Sequence, residues 1–257
     1  MPAAARPRWT SGIPRRDLPA GRDPASDQAG RGDLPDLLSI VGRLRDYYGA
    51  PAPPHVTEPF AQVVWENVGY LVDDERRLAV FERLRREVGI DPEALLGRPP
   101  EALAQVIAGG GMLPAHRAAK LQQAAAIALE MGERELALRV AAGSGHKLLR
   151  RFPSIGEPGA DKIMLFARGA RSLGADSNAL RVLIRLGFGQ ESPKYTQQYR
   201  SAAAAVAPQL PDDYSWLIEA HQLLRRHGQE LCRRAAPRCE LCPLRRGCRW
   251  YRETVTR

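Results

Sequence analysis

The sequence predicts an all-α protein. Apolar residues recur at helical spacing along most of the chain, no segment alternates as a strand would, and Pro and Gly punctuate the periodic segments. With 257 residues, the chain can bury an ample core in one large or two small domains without disulfides. Its formal charge of +9 raises the expectation of a polyanionic partner, although net charge identifies none. No apolar run is long enough to span a membrane, and no apolar signal core follows Met1. The expected location is therefore cytoplasmic, or nucleoid-associated in a bacterium.

Residues 1 to 35 are rich in Pro, Arg, Gly and Asp and lack periodic apolar positions, which reads as a disordered tail. A short amphipathic helix follows over Leu37 to Tyr48, then a Pro-rich link from Pro51 to Pro54. Phe60 to Arg86 reads as one or two helices, because Phe60, Val63, Val64, Asn67, Val68 and Leu71 fall at helical spacing. Trp65 and Tyr70 in this segment could stack on a base, yet aromatics at such spacing usually belong to a core. Further helices are expected over Pro92 to Leu96, Pro100 to Ala108, Pro114 to Met131 and Glu133 to Ala142, with Gly109-Gly110-Gly111 as a break. Ser144 is the expected cap of a short helix leading to Arg151. Leu180 to Leu186 is helical, Gly187-Phe188-Gly189 stops it, and Tyr214 to His227 forms another helix.

Phe152-Pro153-Ser154-Ile155-Gly156 is a tight turn between two helical patterns. Gly156 would permit positive φ, and a helix opening near Gly159 and Ala160 would aim free N–H groups back at the turn. Such a corner can hold a phosphate, although an ordinary helix-to-helix corner has the same signature. Ala175-Asp176-Ser177-Asn178 then starts another helix about one helix-length later. Asp176 is either a poised carboxylate or an N-cap, and one residue can be both.

All four cysteines lie together as Cys232-x6-Cys239-x2-Cys242-x5-Cys248. In a long chain read as intracellular, shared metal coordination explains them better than disulfides. Four thiolates could hold tetrahedral zinc or an iron–sulfur cluster. Arg233, Arg234, Arg238, Arg245, Arg246, Arg249 and Arg252 surround them, against Glu240 and Glu253. These arginines suit a phosphate backbone, or simply solvate the loop.

Together these motifs resemble the endonuclease III (HhH-GPD) superfamily of DNA glycosylases. Pro153, Ile155, Gly156, Ala160, Asp176, Arg181 and Val182 keep its hairpin and catalytic-aspartate pattern, while Ser154 replaces a glycine. The cysteine spacing matches that family's C-terminal [4Fe–4S] loop. The family's Leu-Leu-Ser-x-Gln-x-Thr segment, which helps fill the gap left by an extruded base, is not kept; Gly69, Tyr70 and Leu71 stand nearby.

The resemblance implies a two-lobed helix-hairpin-helix glycosylase fold with a C-terminal iron–sulfur cluster loop. One lobe would combine residues 36–108 and 212–257, and the other would span 109–211. It also implies a monomer that binds double-stranded DNA with a damaged or mismatched base and cleaves the N-glycosidic bond in base-excision repair. Asp176 would be catalytic. Ile155, Gly156, Gly159, Lys162, Arg245 and Arg246 would contact DNA, and Cys232, Cys239, Cys242 and Cys248 would hold the [4Fe–4S] cluster. Pro158 stands where bifunctional members carry their nucleophilic lysine, so DNA-(apurinic or apyrimidinic site) lyase activity should be weak or absent. The alternatives are a bifunctional enzyme with Lys162 as a relocated lysine, or a non-catalytic iron–sulfur DNA-binding protein.

Overall fold

The computed structural model describes residues 35–254, and the expected tail therefore falls almost wholly outside the described residues. No strand occurs among the described residues; a single bridge pairs Tyr70 with Gly111. The helices are α1 (Leu37–Tyr48), α2 (Pro59–Val68), α3 (Asp74–Glu87), α4 (Pro92–Leu96), α5 (Pro100–Val106), α6 (Pro114–Met131) and α7 (Glu133–Ala141). They continue as α8 (His146–Leu149), α9 (Glu157–Phe166), α10 (Ser177–Leu186), α11 (Tyr195–Val206), α12 (Tyr214–Glu230) and α13 (Arg249–Thr254).

Local chemistry sets where many of them begin. Asp36, Glu58, Asp73, Asp91, Asp176 and Asp213 each precede a helix and accept backbone N–H bonds from its first turn. Such a cap is worth about 1 kcal/mol. Ser144 does not cap α8: its hydroxyl donates to the Arg139 carbonyl, and Gly145 occupies the cap position without a side-chain bond. The Phe60 to Arg86 segment resolves into two helices, because residues 69–73 leave helical geometry between Val68 and Asp74.

Two separate groups of buried side chains form the interior. The first contains α2 to α8 and most of α9, from Phe60 to Met164. The second contains α1 with α10, α11 and α12, together with Leu165, Phe188 and Leu244. α9 joins them, since Ile163 and Met164 face the first group while Leu165 belongs to the second. These groups do not follow the boundaries expected at 108 and 211. α2, α4 and α5 pack on α6, whose Ala118, Ala124, Ala125 and Ala128 allow close approach, so of the helices before residue 108 only α1 joins the core containing α12.

Candidate active site and cysteine pocket

The hairpin is α8, a turn over residues 150–156, and α9. Phe152 and Ile155 are buried, with Phe152 packed against Phe60, and they anchor the turn from inside. The left-handed residue is Ser154, at φ 65°, whereas Gly156 sits at φ −88°. Positive φ thus falls on the residue that replaces the family glycine, and it costs about 1–2 kcal/mol for a side-chain-bearing residue. Neighbours hold it there: Lys120 Nζ bonds the Ser154 hydroxyl at 3.0 Å, and Asn67 Nδ2 donates to the Pro153 carbonyl at 3.0 Å. α9 opens at Glu157, earlier than expected, and Pro158 in its first turn removes one N–H from that end. Glu157 would oppose an anion at this corner, but Arg200 pairs with its carboxylate.

Asp176 is both N-cap and half-buried acid. One oxygen accepts from the Asn178 and Ala179 N–H groups, each at 2.9 Å, and the other lies 3.1 Å from Arg225 Nε. Burial pushes this carboxyl up, but the Ala179 N–H bond and the charges of Arg225, His221 and Lys162 outweigh it and hold the group below the usual aspartate range. Arg225 also grips Asp74 with its two terminal nitrogens, linking α12 to α3.

Behind this group, Lys162 Nζ meets Glu66 Oε1 at 2.6 Å, and the two side chains are 15% and 19% exposed. Lys162 is therefore turned inward rather than displayed on the surface. Burial raises the Glu66 carboxyl, and Lys162 more than reverses that, leaving it low. His221 is wholly buried, bonded at Nδ1 to the Leu173 carbonyl at 2.8 Å, and desolvation depresses its pKa to about 4.

A pocket bordered by Glu66, Asn67, Tyr70, Met112, Leu113 and Ser154 opens beside the hairpin. Polar residues, His116, Arg117 and Lys120 among them, also line it, and exposed apolar side chains stand at or next to it. Leu71 is 76% exposed, Met112 and Leu113 are 59% exposed, and Leu71 and Leu113 both have positive φ. The two rim loops are fixed to one another. Buried Arg117 donates to the carbonyls of Val68, Ile107, Gly111 and Met112, and Tyr70 N–H donates to the Gly110 carbonyl. A Cβ on Gly111 would lie 2.2 Å from the Tyr70 carbonyl oxygen, so only glycine permits this approach. Trp65 packs edge-on against Phe81 as part of the core margin, while Tyr70 stands half exposed at the pocket.

Cys232, Cys239, Cys242 and Cys248 border another pocket, with Leu186, Leu231, Leu244 and Trp250 supplying apolar walls. Arg185 reaches Cys232 Sγ at 3.4 Å, and His227 Nε2 lies 3.5 Å from Cys242 Sγ. Burial pushes the Cys242 thiol up to about 12, with repulsion from the other three sulfurs adding to it, against an opposing backbone hydrogen bond at Leu244. Among the described residues no His, Cys, Asp and Glu group is gathered closely enough to hold one metal ion. Arg245 and Arg246 are exposed beside this pocket, and Arg245 lies over the Tyr251 ring.

No protein-family model matches the chain. A Sulfolobus acidocaldarius protein named Endonuclease III is 24% identical over 186 residues, which cover 71% of this chain and 78% of that relative. The structure of a non-covalent Endonuclease III–DNA complex superposes with a TM-score of 0.68 at 19% identity, over 86% of this chain and 97% of that one. The chain is similar in sequence to proteins named Endonuclease III and shares the fold of Endonuclease III structures. A Rickettsia conorii Endonuclease III is 26% identical over 106 residues, and there the match spans only about half of the relative, 47%, and 41% of this chain. A thermostable thymine-DNA glycosylase shares the fold at TM-score 0.67 and 18% identity, over 85% of this chain and 97% of that one.

The sequence singled out Asp176 and the cysteines as candidates, but not Arg225, Asp74 or Glu66, which the structure gathers near Asp176. Only Asp74 carried a local sign, standing in the charged run from Asp73 to Arg77. No helix among the described residues is long and apolar enough to cross a membrane.

Proposed function

We propose that this protein is a base-excision DNA glycosylase that extrudes a damaged or mismatched base from duplex DNA and cleaves its N-glycosidic bond, leaving the strand intact. The observation that carries this reading is Asp176. It is a half-buried carboxylate held low in pKa at the start of α10, in a chain similar in sequence to proteins named Endonuclease III and in fold to a thymine-DNA glycosylase. Positive charge develops on the sugar as the glycosidic bond stretches, and a fixed carboxylate stabilises it.

The pocket beside the hairpin suits an extruded base, and Leu71, Met112 and Leu113 suit the gap left in the duplex. Backbone strain at Leu71 and Leu113 accords with that role, because such outliers gather at functional sites. The N–H groups at the start of α9 near Ile155, Gly156 and Gly159, with Arg245 and Arg246, are assigned to phosphates. Lyase chemistry is not favoured: Pro158 has no amine, and Lys162 is bound to Glu66.

The four cysteines are assigned to a [4Fe–4S] cluster. They line one pocket and keep the Cys-x6-Cys-x2-Cys-x5-Cys spacing of the [4Fe–4S] loop. When bound, the cluster closes the C-terminal segment and holds its arginines in place; base release takes place at Asp176. The test is incubation of the purified chain with duplexes carrying oxidised, deaminated, alkylated, mismatched and abasic sites. Base loss from a damaged or mismatched duplex is expected, and retention of every base would overturn the reading.

A further inference from the structure

We propose that Arg225 is the positioning residue of this centre, clasping Asp176 between α12 and α3 and committing its carboxylate to stabilising charge on the sugar rather than to deprotonating water. This inference rests on the glycosylase reading of Asp176 and specifies how that residue works.

A general base needs a lone pair within hydrogen-bond reach of its water. Both Asp176 oxygens are already engaged. The Asn178 and Ala179 N–H groups hold Oδ1, while Arg225 Nε at 3.1 Å and Asn178 Nδ2 at 3.4 Å hold Oδ2. Arg225 is itself fixed by its two-nitrogen grip on Asp74, which lies on a helix of the other core. α12 also approaches α10 closely, since a Cβ on Gly228 would lie 2.5 Å from the Asn178 carbonyl oxygen. Glycine there lets the two helices touch one turn beyond Arg225.

The charged and titratable groups that act on Asp176 come from several elements. Arg225 and His221 face it from α12, Lys162 from α9 and Tyr195 from α11, with Asp74 on α3 and Glu66 on α2 behind the cations. His221 is neutral near pH 7, since burial holds it at about 4. The cations therefore dominate, which agrees with the low position of the Asp176 carboxyl.

In the resulting reaction the bond between the sugar C1′ and the base nitrogen breaks, and its electron pair leaves on the base. Water oxygen then bonds to C1′, and the proton that water loses replaces the sugar on the departing base. The sum is hydrolysis, and Asp176 carries no proton at any stage. Arg225 touches neither sugar nor base in this scheme and acts only through Asp176.

The test is a ¹³C-carboxyl NMR titration of the full chain with labelled aspartate, the Asp176 signal being assigned by its loss in Asp176→Asn. The wild-type midpoint should lie below the ordinary value of about 3.9. Arg225→Leu should raise it by about one to three units, and Arg225→Lys, which keeps the charge, should recover at least half of that rise. If Arg225→Leu does not fold, Arg225→Gln is the neutral replacement. A midpoint in the folded neutral variant equal to that of wild type would overturn the proposal, as would an Arg225→Lys midpoint equal to that of the neutral variant. Base release that survives Asp176→Asn would instead sink the glycosylase reading of Asp176, and it would leave the titration untouched.

Discussion

The Asp176 centre and the cysteine pocket are two clusters of ionisable groups packed along α10 and α12, and they are satisfied in opposite ways. Around Asp176 the half-buried acids are paired with cations of the same chain. Arg225 answers Asp176 and Asp74, and Lys162 answers Glu66. At Cys239, Cys242 and Cys248, burial and mutual repulsion favour the protonated thiols, and among the described residues no carboxylate–cation pairing comparable to that of the first cluster is built in. Buried charges must be paired or must coordinate metal. The first cluster is paired within the chain, whereas a bound metal group would stabilise four thiolates in the second beyond what Arg185 supplies.

The largest effect should come from breaking the first cluster at its centre. Asp176→Asn keeps a good cap for α10 but removes the charge, so single-turnover base release should slow by on the order of a thousandfold while affinity for damaged duplex is preserved. Equal losses of binding and rate would point to misfolding instead.

Breaking the second cluster should be visible in metal content. Wild-type protein purified without oxygen should carry about four iron and four sulfide per chain, and Cys239→Ser should lose most of both. DNA binding should weaken more than the helical core, as measured by filter binding beside thermal melting. Stoichiometric zinc without sulfide would contradict the assignment.

Proton uptake sharpens the contrast further. His221 titrates near 4 when folded and near 6.5 when unfolded, so the unfolded chain binds its proton first as pH falls. Its contribution should cost about 3 kcal/mol of stability, developing between about pH 6.5 and pH 4 and constant outside that window. Asp176 has the depressed carboxylate's pattern: its stabilisation is present above about pH 4 and lost at lower pH. Urea denaturation across this range should show a shallower decline in His221→Asn.

The smallest effect is on the surface. Arg245→Ala should reduce the slope of log affinity against log salt by about one unit if that side chain neutralises one phosphate. Unchanged slopes for replacements along the loop would mean that these arginines only solvate it.

Much of this contrast was legible in the chain itself. Pro and Gly bracketed α4 and α6 closely, Asp176 carried the mark of a cap before an apolar helix, and the cysteine spacing was local. What was not legible depends on distance along the chain. Arg225 meets Asp176 across 49 residues and Asp74 across 151, and Lys162 meets Glu66 across 96. No local pattern announces such pairs. The grouping of the two cores was hidden for the same reason, since it depends on α2, α4 and α5 choosing α6. α11 passed unnoticed, and the positive φ expected at Gly156 fell instead on Ser154.

The central claim is that Asp176 supports base removal without a lysine nucleophile. It is tested most directly by dividing one reaction on a responsive duplex into untreated, alkali-treated and borohydride-treated portions. Strand breaks are expected only after alkali, with no covalent adduct on borohydride treatment and neither product from Asp176→Asn. A borohydride-trapped protein–DNA adduct that disappears in Lys162→Ala would contradict it.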